Sequence, residues 1–124
     1  MQVIFFGSED VDNLLANMTS GELDRIPFGV IKVDEPGRIV IFNTAEGSIT
    51  GVDPATAIGK NFFTDIAPCA NTPTFRGRFD SGVREGALNV LFEWRLATQS
   101  RPLVQVHMKQ AREPDRYWIF TKRL

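Results

Sequence analysis

The chain has one cysteine, Cys69, in the stretch FFTDIAPCAN, and one histidine, His107. A lone thiol can act as a nucleophile, serve as an attachment point, or pack as a small buried apolar group. Thiol catalysis requires a base, normally a histidine, and a third group to orient it. His107 stands in LVQVHMK, in the polar register opposite Val106 and Met108. There it reads as a surface or satisfied structural residue rather than a catalytic base. One Cys and one His, without C-x-x-C or H-x-x-x-H spacing, also fall short of a zinc site. Composition by itself favours packing for Cys69. Its position argues otherwise: it follows Pro68 in a loop-like run flanked by Phe62, Phe63 and Ile66, beside an apolar hollow. Glu46 is the other unusual group, placed after the apolar run IVIF and before Gly47, where a carboxylate can turn inward. A lone glutamate is ordinarily solvated. A buried one stays protonated, because desolvation raises a carboxyl pKa by several units, and it can then donate a hydrogen bond.

These groups must be carried by elements that the pattern predicts. Ser8 with Glu9 and Asp10 reads as a helix start, followed by Val11, Leu14 and Leu15 at helical spacing. NMTSGELDRIP allows a turn and at most one helical turn. FGVIKV and RIVIF, joined by DEPG, form a hairpin signal. NTAEGSITG reads as a loop or short irregular helix. VDPATAIG has Asp53 as cap, Pro54 at the first helical position and Gly59 as stop. TPTFRGRFDSGVREG repeats that grammar with Thr72, Pro73 and Gly86, and Phe75, Phe79 and Val83 fall four apart on one face. Three strand-like runs follow: NVLFEWRLA, LVQVHMK and YWIFTKRL. The order predicts an α+β domain, a central antiparallel sheet of about five strands with short helices packed on it.

At 124 residues the chain fits one domain, and 43% hydrophobic with 23% charged residues is an ordinary globular balance. Fourteen Lys and Arg interspersed among 15 Asp and Glu give a net charge of −1, without the basic stripe of a nucleic-acid binder. No window approaches the ~20 apolar residues of a membrane span, which predicts no membrane insertion. MQVIFFGSED lacks the basic n-region of a signal peptide, and one cysteine makes no internal disulfide. The expectation is a cytoplasmic protein.

FGSED, AEGSITG, IGKNFF, APC, VHMK and YW, with NTAEG ahead of IGKNFF, stand in an order and spacing similar to the photoactive yellow proteins. These are bacterial blue-light receptors with the PAS fold, and the resemblance runs over nearly the whole chain. It implies a single PAS-type photoreceptor domain over 1–124 with an N-terminal helical cap of about 1–27. It implies p-coumaric acid (4-hydroxycinnamic acid) as chromophore, linked as a thioester to Cys69, whose backbone N–H bonds the thioester carbonyl. Light drives trans-to-cis isomerisation. By the same resemblance Glu46 holds a protonated carboxyl on the buried phenolic oxygen and later gives up its proton, Thr50 joins that hydrogen-bond network, and Phe42, Val52, Phe62, Ile66, Pro68, Leu96 and Thr98 complete the binding site. Proton loss leaves a buried carboxylate, and partial unfolding of the N-terminal segment becomes the signal. The implied partners are an unidentified downstream signalling protein and the enzymes that supply the chromophore, a tyrosine ammonia-lyase and a coumaroyl-CoA ligase. A monomer or weak dimer is expected.

The chain also departs from that family. Phe42 stands where a tyrosine commonly donates a second hydrogen bond to the phenolate, and Val52 where an arginine often covers the ring. Trp94, Leu96, Thr98 and Ser100 occupy positions where aromatics and a methionine are common. That methionine aids thermal recovery, so Ser100 implies slow recovery. The chain is one residue shorter between Ser100 and Val104. Two other functions compete: a pigment-free PAS-type interaction module, which the drift at Phe42 and Val52 favours and the retention of Cys69 and Glu46 opposes, and a thiol-dependent acyl-transfer enzyme, which lacks an evident base.

Overall fold

The computed structural model describes residues 4–97 and 101–124. Two short helices open it, α1 (Val11–Leu15) and α2 (Ser20–Leu23). The strands β1 (Gly29–Asp34) and β2 (Ile39–Phe42) form the expected hairpin. Helices α3 (Thr44–Thr50) and α4 (Pro54–Ala57) follow, then a π-helical turn at Phe62–Ile66, a 3-10 turn at Pro68–Ala70 and α5 (Arg76–Glu85). β3 (Asn89–Arg95), β4 (Leu103–Gln110) and β5 (Arg116–Arg123) complete one antiparallel sheet in the order β2-β1-β5-β4-β3.

The caps explain most boundaries. Asp53 accepts from the Ala55 amide with Pro54 at the first helical position, as the sequence predicts. Thr19 and Glu22 form a reciprocal capping box at α2. Two expectations shift. α1 begins at Val11 after Asp10, and the Ser8 hydroxyl donates to the Asp10 carboxylate instead of capping the helix. Thr72 accepts from the Phe75 amide, which caps a turn that leads into α5, so the helix itself starts at Arg76.

The sheet is covered on both faces. Ile31, Val33, Val106, Met108 and Ile119 point to the main core with Phe62, Phe63, Phe75 and Phe79 from the helical side. Val30, Trp118 and Phe120 point the other way, under Ile4, Val11, Leu15, Leu23, Ile26 and Phe28 of the N-terminal segment. Double coverage is why β1 from Gly29 to Val33 and β5 from Tyr117 to Thr121 are buried at every position. β3, at the sheet edge, keeps its alternation, with Leu91, Glu93 and Arg95 exposed.

Candidate functional site

Of the loop or short irregular helix expected over NTAEGSITG, the structure has a regular helix, α3, because Asn43 caps it. Its Oδ1 accepts from the Glu46 amide at 3.0 Å and from the Val30 amide of β1 at 2.9 Å. Its Nδ2 donates to the carbonyls of Leu23 at 2.9 Å and Phe28 at 3.1 Å. One side chain, 1% exposed, thus ties the first turn of α3 to the sheet and to the N-terminal segment. Gly51 closes the helix in the left-handed region at φ 78°.

This anchoring turns Glu46 into the core, where it is 1% exposed. The Thr121 hydroxyl, from β5, donates to Glu46 Oε2. Gly29, cross-strand from Thr121, makes the approach possible: a Cβ at Gly29 would overlap both Oε2 and the Thr121 oxygen. Burial pushes the Glu46 carboxyl from 4.5 up to about 7, and the Thr121 bond acts in the opposite sense. Thr50 is buried one turn further on. Its hydroxyl donates to the Glu46 backbone carbonyl at 2.9 Å and accepts from the Val52 amide at 3.3 Å.

Cys69 is held by a separate piece of local structure. Asn61 starts the π-helical turn, accepting from the amides of Phe63 and Thr64 and donating to the Pro36 carbonyl. Pro68 then opens the 3-10 turn and is itself exposed; its part is to fix the backbone. Cys69 is half-buried, and its sulfur accepts from the Ala97 amide at 3.4 Å. The main core joins Phe42, Phe62 and Leu96, all buried, with the half-buried Val52, Ile66, Cys69 and Trp94. Thr98 and Ser100 lie outside the described residues.

His107 lies on the other face of the sheet. It is 4% exposed, its Nε2 bonds Asn89 Oδ1 at 2.8 Å, and its ring packs against Phe6 and Phe120. The sheet separates it from Cys69. Burial first, and the Lys109 charge second, push its pKa down. The expected structural role holds, but buried rather than at the surface. Among the described residues no three His, Cys, Asp or Glu side chains gather for a metal, and no helix is long and apolar enough to cross a membrane.

The site also contains groups that were not singled out in the sequence: Asn43, Gly29, Thr121 and the Ala97 amide. Asn43 was legible as a cap, three residues ahead of the Glu46 amide it accepts from. Thr121 shares a face with Tyr117 and Ile119, so a hydroxyl on that inward register needed a buried partner.

Known proteins share this fold. A family profile described as the PAS fold matches residues 12–123. The chain is 48% identical to the photoactive yellow protein of Halochromatium salexigens and 49% to that of Rhodothalassium salexigens, over 100% of each chain. Among solved structures, it is similar to the photoactive yellow protein domain from the sensor histidine kinase Ppr of Rhodospirillum centenum. That match has a TM-score of 0.81 and 41% identity, covering 88% of this chain and 96% of that one. The PAS domain of the Cronobacter turicensis RpfR quorum-sensing receptor shares the fold at 20% identity, with a TM-score of 0.66 over 81% of this chain and 96% of that one.

Proposed function

The chain belongs to the photoactive yellow protein family and is a blue-light photoreceptor, and on that premise we propose that Cys69 carries p-coumaric acid as a thioester with Glu46 as its proton partner. The carrying observation is a buried acid, held neutral up to about 7, in the same domain face as a half-buried thiol packed on the apolar core. Such a donor set suits a phenolic acid: a sulfur for the acyl carbon and a neutral carboxyl for the phenolic oxygen.

When bound, the pigment supplies blue-light absorption and trans-to-cis isomerisation. The protein does the rest. Cys69 Sγ would hold the acyl carbon, taking it from an activated coumaroyl ester whose leaving group departs with the thiol proton, and the Cys69 amide would be the donor for the thioester carbonyl. Phe42, Val52, Phe62, Ile66 and Leu96 supply apolar walls that exclude water, and Pro68 sets the turn; Thr98 and Ser100 belong to this set by resemblance alone. Thr50 holds the helix backbone at Glu46. Glu46 keeps its proton in the dark and gives it up on illumination, which leaves a carboxylate in a dry core, a costly state for a group with few partners. Asn43 links α3 to Leu23 and Phe28, so strain at Glu46 reaches the N-terminal cap of about residues 1–27. Release of that cap is the signal, read by a downstream signalling protein in the cytoplasm.

This is a receptor rather than an enzyme, with His107 across the sheet from the thiol. The test is reconstitution with an activated coumaroyl ester, read by intact mass and visible spectrum, in wild type and Cys69→Ala. A single stable adduct that needs Cys69 and bleaches reversibly is expected. No adduct means a pigment-free interaction module, and an adduct that turns over means an acyl-transfer enzyme.

A further inference from the structure

We infer that Thr121 is a positioning residue for the proton of Glu46: it fixes which carboxyl oxygen carries the proton and holds the carboxylate after the proton has left. The inference rests on the reading of Glu46 as the pigment's proton partner.

Thr121 is 2% exposed on β5, and a hydroxyl buried so deeply needs a partner. The face around it is apolar, formed by Tyr117 and Ile119 on its own strand and Val106 on β4. Its partner is Glu46 Oε2, 75 residues away in the chain. The space in which the two meet exists because Gly29 carries no side chain. Thr50, the other hydroxyl nearby, already donates to the Glu46 backbone carbonyl. Thr121 is therefore the hydroxyl at the carboxyl group itself.

A threonine hydroxyl has one hydrogen to give. Donating it to Oε2 makes Oε2 the carbonyl oxygen of the neutral acid, which leaves the acid proton on Oε1. The O–H on Oε1 is then the donor this placement assigns to a phenolic oxygen. When the proton leaves Oε1, the Thr121 bond stays in place and becomes charge-assisted, which strengthens it. The gain on going from a neutral to a charged acceptor corresponds to roughly a tenfold bias toward the deprotonated form. Thr121 thereby orients the donor in the dark and favours proton release in the light.

The experiment uses infrared spectroscopy on the full chain, with the Glu46 C=O band identified by its loss in Glu46→Gln. Thr121→Val removes the donor at nearly constant volume, and Thr121→Ser restores it. Without pigment, and at a pH below the Glu46 value of about 7, the band moves to higher frequency in Thr121→Val and returns in Thr121→Ser. In the pigment-loaded chain, the light-induced ratio of deprotonated to protonated Glu46 falls roughly tenfold in Thr121→Val. Thr121→Ala gives the same two readouts if the valine variant folds poorly. A band that keeps its wild-type position when the hydroxyl is removed, or one that serine fails to restore, overturns the inference. If wild type takes up no pigment while the band still shifts, the assignment of the pigment fails and the placement of the proton stands.

Discussion

The burial of Glu46 makes a measurable demand on stability. In the unfolded chain its carboxyl titrates near 4.5, and in the folded pigment-free chain near 7. Between those values the unfolded state has lost the proton and the folded state still holds it. A carboxyl raised in this way contributes stability that is fully present below 4.5 and is lost as the pH rises to about 7. The difference corresponds to about 3 kcal/mol, a large share of the 5–15 kcal/mol that holds a typical domain together. Glu46→Gln keeps the shape and cannot ionise, so it removes this dependence. The assay is urea unfolding of wild type and Glu46→Gln across that window. All other titrating groups, including His107 on the far face of the sheet, are common to both proteins and cancel to a good approximation. The wild-type midpoint should fall relative to the variant by roughly 1–3 M urea, given a slope of about 1–3 kcal/mol per M. Parallel pH profiles for the two proteins would refute a neutral buried Glu46 and, with it, the proton donor.

With the pigment bound as proposed, Phe42→Tyr adds a donor worth about 1.5–3 kcal/mol to a charged acceptor, so the pigment pKa in wild type should stand roughly one to two units above that of the variant. Absorbance titration checks this, and a wild type without a short-wavelength protonated band anywhere near neutrality contradicts it. Gly29→Ala forces a Cβ against Glu46 Oε2 and the Thr121 oxygen; it should destabilise the fold by about 1–3 kcal/mol, and an unchanged urea midpoint speaks against so tight a contact. His107 has a folded pKa below its ordinary 6.5, so the stability it permits is present above 6.5 and declines as the pH falls below it. His107→Leu should flatten that acid-side decline, and an equally steep profile in the variant rules the assignment out.

Much of the fold was legible because its determinants are local. Asp53-Pro54 sets the start of α4 and Gly86 the end of α5, while the reciprocal cap of Thr19 and Glu22 that starts α2 went unread in NMTSGELDRIP. Where several cap-like residues stand close together, as at Ser8 and Asp10 or at Thr72, the sequence offers more than one start, and packing of Val11 and Phe75 chooses between them. The resemblance carried by AEGSITG, IGKNFF and APC agrees with relatives matched over the full chain. The burial of His107 was hidden because its register is polar on β4, while the cover above it comes from Phe6, about a hundred residues earlier.

By itself the sequence determined the five strands and their order, the starts of several helices, the sole thiol, and the oddness of a glutamate set behind an apolar strand. These follow from backbone preferences, caps and side-chain periodicity within a few residues. Only the tertiary structure decided what surrounds that glutamate. Thr121 reaches it across 75 residues, and the Ala97 amide reaches Cys69 across 28. Such contacts depend on strand register and on the volume left by Gly29, and a single residue of slip would turn Thr121 to the opposite face of the sheet.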